Sequence, residues 1–114
     1  MRYGSQKHLD YLKRRLQQLC KTKRTVTVEY VDDLNKRAKA LGWKSPRKAK
    51  RLGMTFTYGG KEYIWIEKNM SFEIKAQTLI HEWAHVMTPA DVPDHGRKWA
   101  NNYCKAYRKV YRVK

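Results

Sequence analysis

With 114 residues, of which 41% are apolar, the chain can build one modest hydrophobic core and not two, which predicts a single domain over residues 1–114 and excludes a disordered tail. Its formal charge of +16, from 26 Lys and Arg against 10 Asp and Glu, exceeds what solubility requires and points to a polyanionic partner: nucleic acid first, then an anionic membrane or an acidic protein. Cys20 and Cys104 are too few and too widely spaced for a disulfide framework, and no apolar run reaches 18 residues, so no secretory leader or membrane span is expected and an intracellular monomer is the reading.

From residue 5 to 21, Leu9, Leu12, Leu16 and Leu19 recur at three- and four-residue steps, which predicts an amphipathic helix with its leucine stripe in the core. Residues 25–31 (TVTVEYV) are β-branched and aromatic and predict a strand. Asp32 or Asp33 then caps a short helix through Leu34, Ala38 and Leu41, which Gly42 ends. Ser45-Pro46 marks a turn in a basic segment with little to bury. Residues 54–58 (MTFTY) and 61–67 (KEYIWIE) flank Gly59-Gly60, a hairpin signal because a tight primed turn needs positive φ. A helix follows from the N-cap Ser71 to about Met87, with Glu73 near the positive end of its dipole and Thr88-Pro89 as its stop. After the loop PADVPDHG, a last helix from about Arg97 to Val113 is expected to bury Trp99, Tyr103, Tyr107 and Val110. The fold class is α+β, with an N-terminal helix, a short, mainly antiparallel sheet and two further long helices.

Charge is unevenly placed. Residues 36–51 carry eight basic and no acidic residues, residues 97–114 carry seven and none, and the first 24 carry eight against Asp10. Any one such run is an ordinary solvated face, whereas three in so small a domain favour a surface for a polyanion, and DNA bound without sequence preference is the expected partner. Within the first of these runs, Trp43 stands among Lys44, Arg47, Lys48, Lys50 and Arg51, a candidate set for stacking on a base of single-stranded nucleic acid; a helix-end tryptophan tucked against the domain is the plainer alternative.

The chemistry concentrates in TLIHEWAH, residues 78–85. The chain has four histidines, His8, His81, His85 and His95, and by chance a His-Glu-x-x-His match in this composition arises roughly once in a hundred sequences. On a helix, residues four apart lie one above the other, so His81 and His85 can converge on one ion. Glu82, one step round the helix, can reach a water at that ion and take its proton, the arrangement that metal-assisted hydrolysis requires. Ala76, Ile80, Trp83 and Met87 lie on the opposite side and supply packing. A catalytic zinc uses three protein ligands and leaves one position open, and His95, beside Gly96, is the remaining histidine near the motif. Asp91 and Asp94 are the competing third ligands. One Zn²⁺ per chain is expected.

Residues 50–107 resemble the SprT-like metalloprotease domain, the zincin family that includes the Spartan proteases of DNA-protein crosslinks. The resemblance rests on a basic segment, a glycine-containing β-hairpin, a strand leading by a short loop into TLIHEWAH, and then HGRKW, in which His95, Gly96 and Trp99 match the family's His-Gly-x-x-aromatic motif. It implies a compact zincin fold, three zinc ligands at His81, His85 and His95, Glu82 as general base, and cleavage of protein on or near DNA. It also implies that the strand at residues 63–67 is the edge along which an extended peptide substrate lies. Tyr103 and Tyr107 follow the third ligand; either hydroxyl could stabilise an oxyanion, although their spacing with Trp99 fits core packing better. Two other readings stand beside the peptidase: a nucleic-acid-binding protein with a structural or inactive zinc site, and a peptidase or toxin that uses its charge to find an acidic protein. The intact Glu82 argues against the first, and the lack of clustered carboxylates argues against a two-metal nuclease.

Overall fold

The computed structural model describes residues 6–42, 52–89, 92–93 and 95–111. In chain order the elements are α1 (Gln6–Leu19), β1 (Val26–Val31), α2 (Leu34–Ala40), β2 (Gly53–Tyr58), β3 (Lys61–Glu67), α3 (Phe72–Met87) and α4 (Arg97–Tyr111). The expected turn at Ser45-Pro46 and the last residues of the C-terminal helix lie outside the described residues.

The hairpin forms as its glycines require. Gly59 and Gly60 both take positive φ, 58° and 77°, which joins β2 to β3 through a two-residue turn closed by Tyr58 opposite Lys61. The sheet order is β1-β3-β2, with β3 antiparallel to β2 and parallel to β1. The sheet is therefore mixed, not mainly antiparallel, because the connection from β1 through α2 carries the chain past the position that β3 later fills. Two expectations change with it. β3 is the central strand, so residues 63–67 are paired on both sides and cannot receive a peptide; the edges are β1 and β2. YIWI is apolar at both parities because helices pack on both faces of the sheet.

Alternation divides the two faces. Val26, Val28, Ile64 and Ile66 face α1 and α3, in a core completed by Leu9, Leu12, Leu16, Cys20, Leu79, Ile80, Trp83, Ala106 and Val110. Val31, Met54, Phe56 and Trp65 face the other way, under Leu34 and Ala38 of α2. Each buried leucine contributes roughly 1.5–3 kcal/mol, so Leu9, Leu12 and Leu16 suffice to dock α1. Leu19 falls off the stripe and is exposed; Cys20 takes its place in the core, where its backbone carbonyl accepts from the Trp83 indole at 2.9 Å.

Short α2 is pinned at its start. Asp33, at φ 47°, caps it by accepting from the Lys36 N–H, and the wholly buried Glu67 at the end of β3 accepts from the Leu34 N–H at 3.0 Å. The second Glu67 oxygen accepts from the backbone and side-chain amides of Asn69, so a charge that burial alone would penalise is met by donors on both sides. On the opposite face α3 lies against β2 and β3 and packs in turn on α1 and α4. That placement sets the site.

Candidate metal centre

α3 begins where Ser71 accepts from the Ile74 N–H and ends at Thr88, whose hydroxyl donates to the Ala84 carbonyl. Asn102 of α4 donates to the Met87 carbonyl at 3.3 Å and to the Thr88 hydroxyl at 3.0 Å, which satisfies a free carbonyl at the helix end and fixes α4 beside it. Between the two helices, turns closed by Val92 N–H to the Pro89 carbonyl and Gly96 N–H to the Pro93 carbonyl fold the chain back. His95 takes positive φ, 55°, a conformation disfavoured for a side chain of this size and of the kind that collects at functional sites. Gly96 is closely approached: a Cβ there would stand 3.1 Å from the Pro93 carbonyl oxygen and 3.2 Å from Pro93 Cβ, tighter than most such contacts.

The result is convergence of three imidazoles. His95 Nε2 lies 3.0 Å from His85 Nε2 and 3.2 Å from His81 Nε2, and the three side chains form the one group of metal-ligating residues found among the described residues. A neutral Nε2 either carries one proton or offers one in-plane lone pair, so the His95 nitrogen can satisfy one of its two neighbours and not both. A cation satisfies all three, and nitrogens about 2.0–2.1 Å from a tetrahedral zinc stand about 3.3 Å apart. His81, His85 and His95 thus fit a zinc site. Asp91 and Asp94, the competing third ligands, lie outside the described residues.

Glu82 is buried between α3 and the edge strand β2. Thr55 donates from Oγ1 to Glu82 Oε1 at 2.8 Å, while Oε2 sits 3.8 Å from His81 Nε2, turned to the imidazole cluster. Trp99 closes another side, its ring centroid 4.8 Å from that of His81, 5.4 Å from His85 and 4.7 Å from His95. Tyr103 stacks on Trp99 at 5.3 Å and Tyr107 follows. The expected buried face of α4 is thereby corrected: Ala106 and Val110 are the residues it buries, Trp99 and Tyr103 are half-buried against the histidines, and Tyr107 is exposed. The stripe is displaced because the imidazoles, rather than aliphatic groups, cover the first turn of α4. Burial raises the Tyr103 phenol above its ordinary value, so it keeps its proton.

Sequence reasoning missed Thr55 and Gly53, both of which touch Glu82 or stand against it. The only signal was the alternation in GMTFT, and alternation does not say which parity faces the helix. Trp43, Lys44, Arg47, Lys48, Lys50 and Arg51 lie outside the described residues. Cys20 is buried and Cys104 exposed, both free thiols, and no described helix is long and apolar enough to cross a membrane. Comparison with known protein families, curated proteins and solved structures finds no match to this chain.

Proposed function

We propose that the protein is a zinc metallopeptidase of the SprT-like zincin type, held on or near DNA by its basic surface. The observation that carries this reading is the meeting of three Nε2 atoms beside a buried carboxylate whose second oxygen faces them. His81, His85 and His95 would hold the metal, and a zinc ion bound there would supply Lewis-acid polarisation of the scissile carbonyl and of the attacking water. Glu82 takes the proton from the attacking water and passes it to the leaving amine. β2 is the edge strand beside Glu82, so an extended peptide adds to the sheet there through main-chain hydrogen bonds, with broad tolerance of sequence.

The charge supports the DNA half of the reading. α4 starts directly after His95 and exposes Arg97, Lys98, Lys105, Arg108 and Lys109 without an acidic residue, so a polyanion along this helix lies close to the metal centre. Neutralising Lys105, Arg108 and Lys109 together should flatten the dependence of log K on log salt for duplex DNA by up to about 2.7, at about 0.9 per phosphate contact, and leave zinc content unchanged. The same logic applies to Arg47, Lys48, Lys50 and Arg51 as a second set. No DNA affinity at about 0.1 M salt, where screening acts over about 10 Å, would hand the basic surface to an acidic protein or a membrane partner.

The deciding experiment is incubation of the zinc-loaded protein with casein or a histone, with and without DNA. Cleavage that disappears on chelation and returns with zinc is the expected result. Stoichiometric zinc without cleavage of either substrate would leave a nucleic-acid-binding protein with a structural metal.

A further inference from the structure

We propose that Thr55 is a positioning residue of the site: its hydroxyl fixes the Glu82 carboxylate with one oxygen committed to the edge strand and the other turned to the imidazoles. The role assigned to that carboxylate rests on the peptidase reading above; the clamp itself does not.

Three observations converge on it. The alternation of β2 directs Gly53, Thr55 and Thr57 to the face that α3 covers, opposite Ile66, Ile64 and Glu62 of β3. There Thr55 Oγ1 has two acceptors within reach, Glu82 Oε1 at 2.8 Å and the Glu82 backbone carbonyl at 3.4 Å. A hydroxyl has one proton to give, and the shorter contact, to the carboxylate oxygen, takes it. Two residues earlier, Gly53 leaves room for both Thr78 and Glu82 of α3: a Cβ there would lie 2.6 Å from Thr78 Cγ2, 3.1 Å from Glu82 Cγ and 3.4 Å from Cδ. The strand therefore shapes the carboxylate's path with one residue and sets its rotation with the other.

The consequence is specific to one oxygen. With Oε1 held by Thr55, Oε2 is the oxygen 3.8 Å from His81 Nε2, where the attacking water must be met. Without the hydroxyl, Oε1 loses the 2.8 Å contact from Thr55, and the terminal torsion, which is broad and two-fold, is held less firmly. The same strand offers its outer edge to substrate, so peptide docking and alignment of the base share one rigid element. Because the hydroxyl is directed inward, its loss affects turnover more than binding.

The test compares Thr55→Val, which keeps shape and β-branching, with Thr55→Ser, which keeps the hydroxyl. Thr55→Val is expected to lower kcat by about 10- to 100-fold, the range seen when a group that orients a metal-site residue is lost, with KM within about two-fold and zinc affinity unchanged; Thr55→Ser restores most of the rate. A second readout needs no turnover. In protein carrying ¹³C-labelled glutamate, the Glu82 carboxylate resonance, assigned by its loss in Glu82→Gln, should move in Thr55→Val and hold its position in Thr55→Ser, at one fixed pH and both with and without zinc. A resonance indifferent to Thr55→Val overturns the clamp, as do equal losses of rate in the two variants. If wild-type protein cleaves nothing, the resonance still decides the clamp, and the peptidase reading alone fails.

Discussion

Glu82→Gln should leave a folded, zinc-loaded protein whose hydrolytic rate is lower by about 10² to 10⁴, the typical contribution of a general base. The change is nearly isosteric, and the amide oxygen can still accept from Thr55 where Glu82 Oε1 does now. The imidazoles are untouched, so metal analysis should return the wild-type stoichiometry. Stability should not fall, since the amide is nearly the same size and keeps the hydrogen bond to the strand, and a thermal melt checks this directly. Wild-type turnover in this variant would take Glu82 out of the mechanism and reduce it to a tie between α3 and β2.

Much of the architecture was legible because the strongest signals are local. Gly59-Gly60 could form only a primed turn, Ser71 and Thr88 bracket α3 where capping chemistry places them, and Leu9, Leu12 and Leu16 recur at helical spacing. Long-range relations were less accessible. Strand order depends on where α2 carries the chain after β1, and nothing inside residues 26–31 encodes a parallel partner; the apolar run at 63–66 signals cover on both faces, and the pairing on both edges that overturns the edge role comes from the tertiary fold alone. The same holds for the site. His81 and His85 follow from a four-residue step alone, whereas the approach of His95 depends on two turns, a positive φ and the room left at Gly96. Trp99 and Tyr103 read as core aromatics because helical spacing cannot distinguish an aliphatic neighbour from an imidazole. Thr55 was invisible for a further reason: a threonine on a strand is ordinary, and only the tertiary fold shows what its hydroxyl faces.

His95→Ala should weaken zinc binding by more than about 100-fold, since loss of an orienting partner outside the ligand set already costs 10- to 100-fold and this change removes a ligand. The protein should nevertheless remain folded. α4 is docked by Ala106 and Val110 in the core and by Asn102 on the end of α3, none of which depends on the imidazole. Alanine keeps the Cβ that makes φ 55° unfavourable, so the substitution leaves that backbone strain in place. Zinc at 100 times its dissociation constant stabilises a protein that binds it only when folded by about 2.7 kcal/mol, so wild-type protein should melt at a higher temperature as zinc is added. The His95→Ala variant should melt at one temperature across the same titration, close to that of metal-free wild type. Direct metal titration then separates the outcomes: full zinc affinity in this variant would transfer the third position to Asp91 or Asp94 and leave the His95 contacts at 3.0 and 3.2 Å without a metal to explain them.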